Sequence, residues 1–372
     1  MNLYIYIILT ILCLFFSLIE FFKKRSIIIL DVILVFLFFF LIVNRSIENT
    51  PDTDTYVDEY KSLDLEKNYI LGSDITKYKF EIGYTFYSEI VKFIFGENIR
   101  IFFASIVFIN LLVVFIVFKK IIILIENKNE LSERRNFLFA PFFSIYISYF
   151  GFMYSGIVLR QSLAMSLLFL SVYYLLSGKK KAGLIILLSL FLFHNMAIFA
   201  IGILFFIFIN VNLKKTSYYR LTVFFLLLYV VKFYVFFASA VINFLFSKFS
   251  EGAGTISPEK INTYLGGSSD VSSYSIANFV NFAFLFLAIK FTDVSNVLQQ
   301  KLLQVFLFSV CMNSLCSGIL AFSRVTDYYL FFSIVLFYYI LTNRLSMLKL
   351  SFFCVMIISN SVLLYRAIAL DN

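Results

Sequence analysis

Long apolar runs alternate with short basic clusters along most of the sequence. The first run covers about residues 3–22 and ends at Lys23, Lys24 and Arg25, and a second follows directly. A helix needs about 20 mainly apolar residues to cross the hydrocarbon core of a bilayer. The runs predict spans at about 3–22, 26–43, 101–125, 137–154, 161–176, 182–211, 221–246, 274–289, 302–322, 325–341 and 350–364. We expect about 11 or 12 membrane segments, because 182–211 is long enough for one or two.

The composition favours a membrane protein over a soluble one. Of the 372 residues, 61% are hydrophobic and 14% are charged, whereas soluble domains are about 45–50% apolar and about 25% charged. A single core of this size does not hide so much apolar surface, and a bilayer accepts it. The predicted fold is all-α: a polytopic transmembrane helical bundle that forms one integral membrane domain over 1–372. Its N-terminus is expected to be a span and not a cleaved signal peptide.

The positive charges predict the orientation of the chain. The net charge is +9, but Lys and Arg cluster between the spans, which is the positive-inside pattern and not a nucleic-acid surface. We therefore expect no nucleic-acid partner. The clusters at 23–25, 119–135 and 179–181 fall on one side, which is assigned to the cytoplasm. The polar loops at 45–100 and 247–273 are then extracytoplasmic.

The run at 182–211 has basic clusters at both ends. A single tilted helix would place one of these clusters outside the cytoplasm. A reversal near His194 and Asn195 keeps both inside and is favoured for that reason. A re-entrant hairpin satisfies the same charges, provided that protein buries its turn.

Half of the chain's 22 acidic residues lie in the predicted outer loop at 45–100. A connection of this length is usually functional or disordered. Its many Tyr, Phe and Ile residues argue against disorder. The segment from Tyr84 to Phe95 is amphipathic at helical spacing, which predicts a helix along the membrane surface.

Four short motifs follow one another through residues 45–200. Asn-Thr-Pro-Asp-Thr-Asp-Thr-Tyr at 49–56 precedes Glu-Ile-Gly-Tyr at 81–84, Leu-Arg-Gln-Ser-Leu-Ala at 159–164 opens a predicted span, and Phe-His-Asn-Met-Ala occupies 193–197. In order and spacing they resemble the EpsG family of membrane proteins, which includes many Wzy-type O-antigen and capsule polymerases. Beyond residue 200 the resemblance is one of hydropathy and of Arg324 at a span end.

The resemblance implies glycosyl transfer at the outer face of a bacterial cytoplasmic (inner) membrane. A glycan growing on undecaprenyl pyrophosphate is moved onto the next lipid-linked repeat unit, and the lipid pyrophosphate leaves. The implied partners are the lipid-linked oligosaccharide, the bilayer, a chain-length regulator and a flippase. The implied fold is the GT-C type of lipid-sugar glycosyltransferase. No cofactor or nucleotide sugar is expected, and the sequence shows no Gly-rich phosphate loop.

Cations are expected to hold the pyrophosphate leaving group. Guanidinium groups bind such oxygens bidentately, and fixed charges of this kind stabilise transition states. Arg160 and Arg324 are each predicted at the outer end of a span, where they break the positive-inside pattern. Lys232 falls inside the run at 221–246 and either faces a wet cavity or marks a break. All three are predicted pyrophosphate ligands, with interfacial snorkelling or an ion pair with an acid such as Asp327 as the structural alternative.

Glycosyl transfer also uses a general base within hydrogen-bond reach of the acceptor hydroxyl. Asp54, Glu81 and His194 are the predicted catalytic residues, and Asp52 is an alternative. A lone His in an apolar run is commonly a buried structural residue, and Asp54 can also cap a helix. Either acid can pair with Arg. Because no nucleotide-binding domain accompanies the Asp-x-Asp spacing, no metal site is expected.

Three other functions stay open at this point. A ligase that moves finished glycan onto another acceptor shares the chemistry. A flippase for the lipid-linked unit typically has more spans, a repeated half and charges lining a central cavity. A membrane acyltransferase for sugars is expected to pair a His with an acid, and no acid neighbours His194 in the sequence.

Overall fold

The described part of the chain is helical and contains no strand. The computed structural model describes residues 3–44, 53–63, 81–127, 136–209, 211–237, 240, 274–317, 319–343 and 346–370. The α-helices are α1 (Leu3–Lys23), α2 (Ile28–Val43), α3 (Thr53–Ser62), α4 (Ile82–Phe95), α5 (Ile99–Asn127), α6 (Phe139–Tyr146), α7 (Phe152–Gly156), α8 (Leu159–Leu176), α9 (Lys180–Ser189), α10 (Ile203–Phe208), α11 (Lys215–Val230), α12 (Ile276–Phe291), α13 (Val297–Leu315), α14 (Leu320–Leu330), α15 (Ser333–Thr342) and α16 (Met347–Leu370).

Five helical stretches in the described residues are long and apolar enough to cross a membrane. They are Tyr4–Lys23, Ile99–Glu126, Leu159–Leu176, Arg324–Thr342 and Met347–Tyr365. Three shorter apolar stretches are Ile28–Val43, Asn195–Phe208 and Ile276–Phe291. The prediction of a helical, multi-pass membrane protein is therefore confirmed. The total of 11 or 12 segments and the GT-C type remain predictions, and the loop at 247–273 lies outside the described residues.

The chain forms two compact units, which are described separately. Unit 1 comprises residues 1–198 and 337–372, and unit 2 comprises residues 199–336. In unit 1 the predicted spans at 3–22, 26–43, 101–125 and 161–176 coincide with α1, α2, α5 and α8 to within two residues at each end. Continuous apolar runs without internal Gly or Pro predict such helices well, because nothing inside them competes with the helical backbone.

Glu20, near the end of α1, accepts hydrogen bonds from the backbone at the starts of two neighbouring helices. Its buried carboxylate accepts the N–H of Ile27, which precedes α2, at 2.8 Å, and the N–H of Ala140 in α6 at 2.9 Å. The first N–H groups of a helix have no intrahelical acceptor and carry a partial positive charge, so a carboxyl oxygen is a favourable acceptor for them. One acid therefore fixes three helix ends in unit 1.

The connection between α8 and α9 is a tight turn. Gly178 has φ +85°, a left-handed conformation that glycine adopts without steric cost. α9 folds back onto α8, and Ser171 donates a hydrogen bond to the carbonyl of Gly183 at 2.7 Å. Lys179, Lys180 and Lys181 follow this turn directly, at the opposite end of α8 from Arg160.

The run at 182–211 is interrupted where the sequence predicts an interruption. α9 ends at Ser189, a 3₁₀ turn covers Leu190–Leu192, and a second 3₁₀ stretch covers Asn195–Gly202. Phe193 and His194 lie between the two 3₁₀ segments. The break near His194 is confirmed, whereas a reversal across the membrane stays a prediction. Another irregular element, a π-helical turn at Ile147–Gly151, joins α6 to α7.

α4 buries polar side chains and exposes apolar ones. Ser88 and Lys92 are buried, whereas Phe86, Ile90 and Phe93 are exposed. This inversion of the usual soluble pattern suits a helix whose outer side meets lipid. The predicted position of this helix along the membrane surface remains a prediction that the inverted pattern favours.

Unit 2 follows the predicted spans only in part, since α12 coincides with the run at 274–289 to within two residues but other runs are broken. Helices α11, α12 and α13 pack on one another, and α10 and α14 also contact α13. The predicted run at 221–246 is not one helix, because α11 ends at Val230 and Lys232 adopts a left-handed φ of 57°. A residue with a Cβ in that conformation does not continue a right-handed helix. The run at 302–322 is likewise divided between α13 and α14, with a break that hydropathy alone does not reveal. The predicted span at 325–341 falls within the apolar helical stretch Arg324–Thr342.

Candidate functional site

Arg160 and Glu81 form an ion pair at the start of α8. The Nη1 of Arg160 lies 2.5 Å from the Oε2 of Glu81, although the two residues are 79 positions apart. The Arg160 side chain is 21% exposed and the Glu81 side chain only 7%. A charge-assisted contact to a buried carboxylate gives the guanidinium a fixed position. Part of the guanidinium side chain nevertheless stays accessible.

The second oxygen of Glu81 holds the interrupted segment after α9. Its Oε1 accepts the backbone N–H of Asn195 at 3.0 Å. Gly83 permits this approach, since a Cβ at that position would lie 2.6 Å from the carbonyl oxygen of Leu192. Glu81 therefore joins the start of α4, α8 and the break after α9 through one carboxylate with both oxygens engaged.

Buried aromatic side chains pack between the helices that meet at this ion pair. Tyr56 and Tyr60 of α3, Tyr84 of α4 and Phe102 of α5 are buried together with Leu159 of α8. Tyr60 stacks on Phe102 with ring centroids 4.4 Å apart. Tyr56 and Tyr84 lie 5.6 Å apart by the same measure. Aromatic pairs at these separations add to the free energy gained from burial, so the described parts of the loop at 45–100, residues 53–63 and 81–100, are packed and do not form a tether.

Two tyrosines lie beside the guanidinium. The guanidinium carbon of Arg160 is 5.8 Å from the centroid of Tyr56, within the range of a cation–π contact. Burial raises the pKa of Tyr84 well above its usual value, and the nearby Tyr56 and Glu59 raise it further. Tyr84 therefore stays a neutral phenol at physiological pH. The guanidinium of Arg160 therefore lies beside the aromatic rings of Tyr56 and Tyr84.

Lys92 fastens α4 to the C-terminal end of α3. Its Nζ donates to the carbonyl oxygens of Lys61 and Leu63, each at 2.8 Å. It also donates to the carbonyl of Tyr60 at 3.2 Å and lies 3.1 Å from a carboxylate oxygen of Glu97. The last carbonyls of a helix lack intrahelical donors and carry a partial negative charge. The buried ammonium satisfies these carbonyls and fixes the two loop helices to each other.

A second polar cluster fixes α8 against α5 next to Arg160. The side-chain amide of Asn110 donates to the hydroxyl of Ser162, and Ser166 donates to the Asn110 carbonyl oxygen at 2.9 Å. All three residues are buried. Buried polar groups with their partners in place specify one helix register. This cluster gives Ser162, in the Leu-Arg-Gln-Ser-Leu-Ala motif, a structural role.

The other predicted catalytic residues of unit 1 lie in different settings. Asp54 is exposed in the first turn of α3, and two residues of helix place it roughly 200° around the axis from Tyr56. His194 is buried at 5% exposure and immediately precedes Asn195. The structure thus brings Glu81 to Arg160 and places His194 next to that contact in the chain. Asp52 lies outside the described residues.

The two remaining predicted phosphate ligands belong to unit 2. Arg324 is half-buried in α14. Lys232 is exposed at the break after α11, and its Nζ lies 4.9 Å from the centroid of Tyr274. The hydroxyl of Tyr274 donates to the carbonyl of Val230 at 2.7 Å, which holds the ring beside the break. Pyrophosphate binding by Arg324 and Lys232 remains a prediction.

Sequence reasoning missed several residues that build the site. Tyr56 and Tyr84 end two of the quoted motifs, so their positions offered a signal, but no role was assigned to either. Glu59 is buried and accepts a hydrogen bond from the Thr85 hydroxyl at 3.2 Å. Lys92 gave no usable signal, because a lysine in an amphipathic helix is ordinarily expected on the solvated face.

These features define a multi-pass helical membrane protein with a buried arginine–glutamate pair at one end of a span. The sequence profile of the EpsG family matches residues 28–371, nearly the whole chain. The chain belongs to the EpsG family, a Wzy-type polymerase-like family, and this membership indicates a membrane role like that of a polysaccharide polymerase. Searches of curated proteins and of solved structures find no match.

Proposed function

We propose that the protein polymerises oligosaccharide repeat units linked to undecaprenyl pyrophosphate, at the outer face of the bacterial cytoplasmic membrane. The observation that carries the proposal is Arg160, fixed by Glu81 at the start of α8 and 21% exposed. The lysines at 179–181 follow the other end of the same helix. With that end cytoplasmic by the positive-inside rule, Arg160 faces the outer side.

The proposed reaction needs a cation for its leaving group. A hydroxyl oxygen of the acceptor unit forms a bond to the anomeric carbon of the donor glycan. The bond from that carbon to the pyrophosphate oxygen breaks, and the lipid pyrophosphate leaves with the electron pair. Arg160 donates N–H groups to the pyrophosphate oxygens as their negative charge grows. A guanidinium held in place beforehand does this with little reorganisation.

Glu81 is a positioning residue in this scheme. One of its oxygens contacts Arg160 and the other accepts the Asn195 N–H. A carboxylate engaged on both oxygens orients its neighbours, as acids that support catalytic ligands commonly do. The acceptor hydroxyl proton then goes to another base, for which exposed Asp54 is the first candidate and His194 the second. Arg324 and Lys232 are further candidates for contacting the lipid pyrophosphate.

Glycan length in cells tests the proposal. A deletion strain is complemented with the wild type, with Arg160→Ala, with Arg160→Lys or with Arg100→Ala, and its surface glycan is separated by size. Arg100 is an exposed arginine in the same outer loop and serves as the matched control. A blot of the membrane fraction shows that each variant is present. We expect long chains with the wild type and Arg100→Ala.

The short glycans that remain in the Arg160→Ala strain distinguish a polymerase from a flippase or a ligase. With Arg160→Ala we expect single repeat units attached to the final acceptor, because transport and attachment continue while polymerisation stops. Complete loss of attached units would indicate a flippase or a ligase instead. Normal chain length with Arg160→Ala would show that Arg160 does not bind the leaving group.

A further inference from the structure

A groove of about 1110 Å³ opens in unit 1 between α2 and the C-terminal half of α5. Its mouth carries Arg25 and Lys119, and its walls are largely aromatic and branched apolar side chains. These residues play no part in the proposed transfer reaction. The mouth belongs to the side with the basic clusters, which is the predicted cytoplasmic side.

The apolar wall of the groove has the length of one acyl chain. On α2 it runs from Ile28 through Val32 and Phe36 to Phe39. The eleven helical rises between Ile28 and Phe39 span about 16 Å, and one leaflet of hydrocarbon is about 15 Å thick. Phe115 of α5 lines the opposite side. The groove therefore matches a hydrocarbon chain that enters from the headgroup level.

The charges at the mouth match a phosphodiester. Arg25 and Lys119 are both exposed there. The one acid in the lining, Asp31, accepts a hydrogen bond from the Ser26 hydroxyl on Oδ2, and its Oδ1 is buried. The mouth thus presents two exposed cations, whereas its one acid is half-buried and contacts Glu20, so positive charge is in excess at the surface. A phosphodiester with a single negative charge neutralises that excess.

We propose that this groove binds an anionic glycerophospholipid of the cytoplasmic leaflet. The phosphate accepts hydrogen bonds from the guanidinium of Arg25 and the ammonium of Lys119. One acyl chain lies along Val32, Phe36 and Phe39. Lipid bound in this way fills the space between α2 and α5 and stabilises their packing. The site is independent of the proposed polymerase reaction and lies on the opposite side of the membrane from Arg160.

Native mass spectrometry of the full-length protein in detergent tests the site. The probes are phosphatidylglycerol and phosphatidylcholine with the same acyl chains. We expect the first bound lipid molecule to bind at least about tenfold tighter when it is phosphatidylglycerol than when it is phosphatidylcholine. The reason is that only phosphatidylglycerol carries a net negative charge. Arg25→Gln with Lys119→Gln is expected to abolish that preference.

A matched double variant separates a site from general attraction. Lys120→Gln with Lys179→Gln also removes two positive charges. These two lysines lie over the rings of Tyr173 and Tyr174 and do not line the groove. This double variant is expected to keep the preference. Val35→Trp, which fills the groove without altering charge, is expected to lower binding of both lipids. Equal binding of the two lipids by the wild type, or equal losses in both double variants, would overturn the proposal.

The chain contains no Trp, which gives a second measurement if the double variant fails to fold. Phe36→Trp places the only indole in the groove. Brominated phosphatidylglycerol is expected to quench its fluorescence more strongly than brominated phosphatidylcholine at the same mole fraction. Equal quenching by the two lipids would also overturn the proposal.

Discussion

Arg160 and Lys232 are both candidates for binding a lipid pyrophosphate, and they lie in contrasting surroundings. Arg160 is largely buried, contacts the buried carboxylate of Glu81 and lies beside the ring of Tyr56. Lys232 is exposed, lies at a helix break and has its ammonium over the ring of Tyr274. The first cation is fixed by a packed framework, whereas the second projects from a turn on a flexible stem.

The comparison shows that the surroundings of a cation, and not only its place in the sequence, determine how well it binds a phosphate. A fixed guanidinium loses little freedom when a phosphate arrives and presents two parallel N–H groups to it. An exposed ammonium is strongly hydrated and loses side-chain freedom on binding. We therefore expect Arg160 to contribute far more to the reaction than Lys232.

Removing Glu81 is expected to have the largest effect on this contrast. Glu81→Ala frees the guanidinium and the Asn195 N–H together, and we expect polymerisation to fall by about 10- to 100-fold, as for other residues that orient a ligand. Glu81→Gln keeps an acceptor for the Asn195 N–H and is expected to lose less. The measurement is the initial rate of chain extension in isolated membranes.

The difference in extension rate between Glu81→Ala and Glu81→Gln distinguishes a positioning role from proton abstraction. If Glu81 were the base, Gln and Ala would be equally inactive, and the pH dependence of the rate would change in both. A positioning role predicts an intermediate rate for Glu81→Gln with an unchanged pH profile. Arg100→Ala again provides the control from the same loop.

Lys92→Met is expected to destabilise the framework beneath Arg160. The substitution leaves three carbonyls at the end of α3 without their donor, and each unpaired buried polar group costs about 1–3 kcal/mol. We expect protease cleavage within residues 45–100 of the purified protein to become at least about tenfold faster. Lys61→Met, an exposed change in α3, is the control. Equal cleavage rates in both variants would show that the buried ammonium does not hold the loop.

Much of the helical framework was predictable, because long apolar runs leave the backbone few alternatives to a helix. The bounds of α1, α2, α5 and α8 are clear cases. The site was predictable only in part. The motifs pointed to Glu81 and Arg160, but the contact between them depends on packing across 79 residues. A break at Lys232 was one of two alternatives that the sequence left open, and the structure has a break there. The break after α13 was missed, since hydropathy does not report a change of backbone conformation.

Lys232→Gln is expected to have the smallest effect. The exposed ammonium is replaceable by water and counterions, so we expect less than about a threefold change in the extension rate. A loss comparable with that of Arg160→Ala would remove the contrast and assign Lys232 to the leaving group. Lys232→Gly, which suits the left-handed backbone, is expected to keep the helix break and serves to separate backbone from charge.

The most direct test of the central claim measures pyrophosphate binding itself. Undecaprenyl pyrophosphate and undecaprenyl phosphate are titrated into the purified wild type, Arg160→Ala, Arg160→Ala with Glu81→Gln, and Arg100→Ala. The double variant avoids leaving Glu81 without its cation. We predict that the wild type and Arg100→Ala prefer the pyrophosphate, and that both Arg160 variants lose at least about tenfold in affinity for it. Unchanged preference in the Arg160 variants would contradict the assignment of Arg160 to the leaving group.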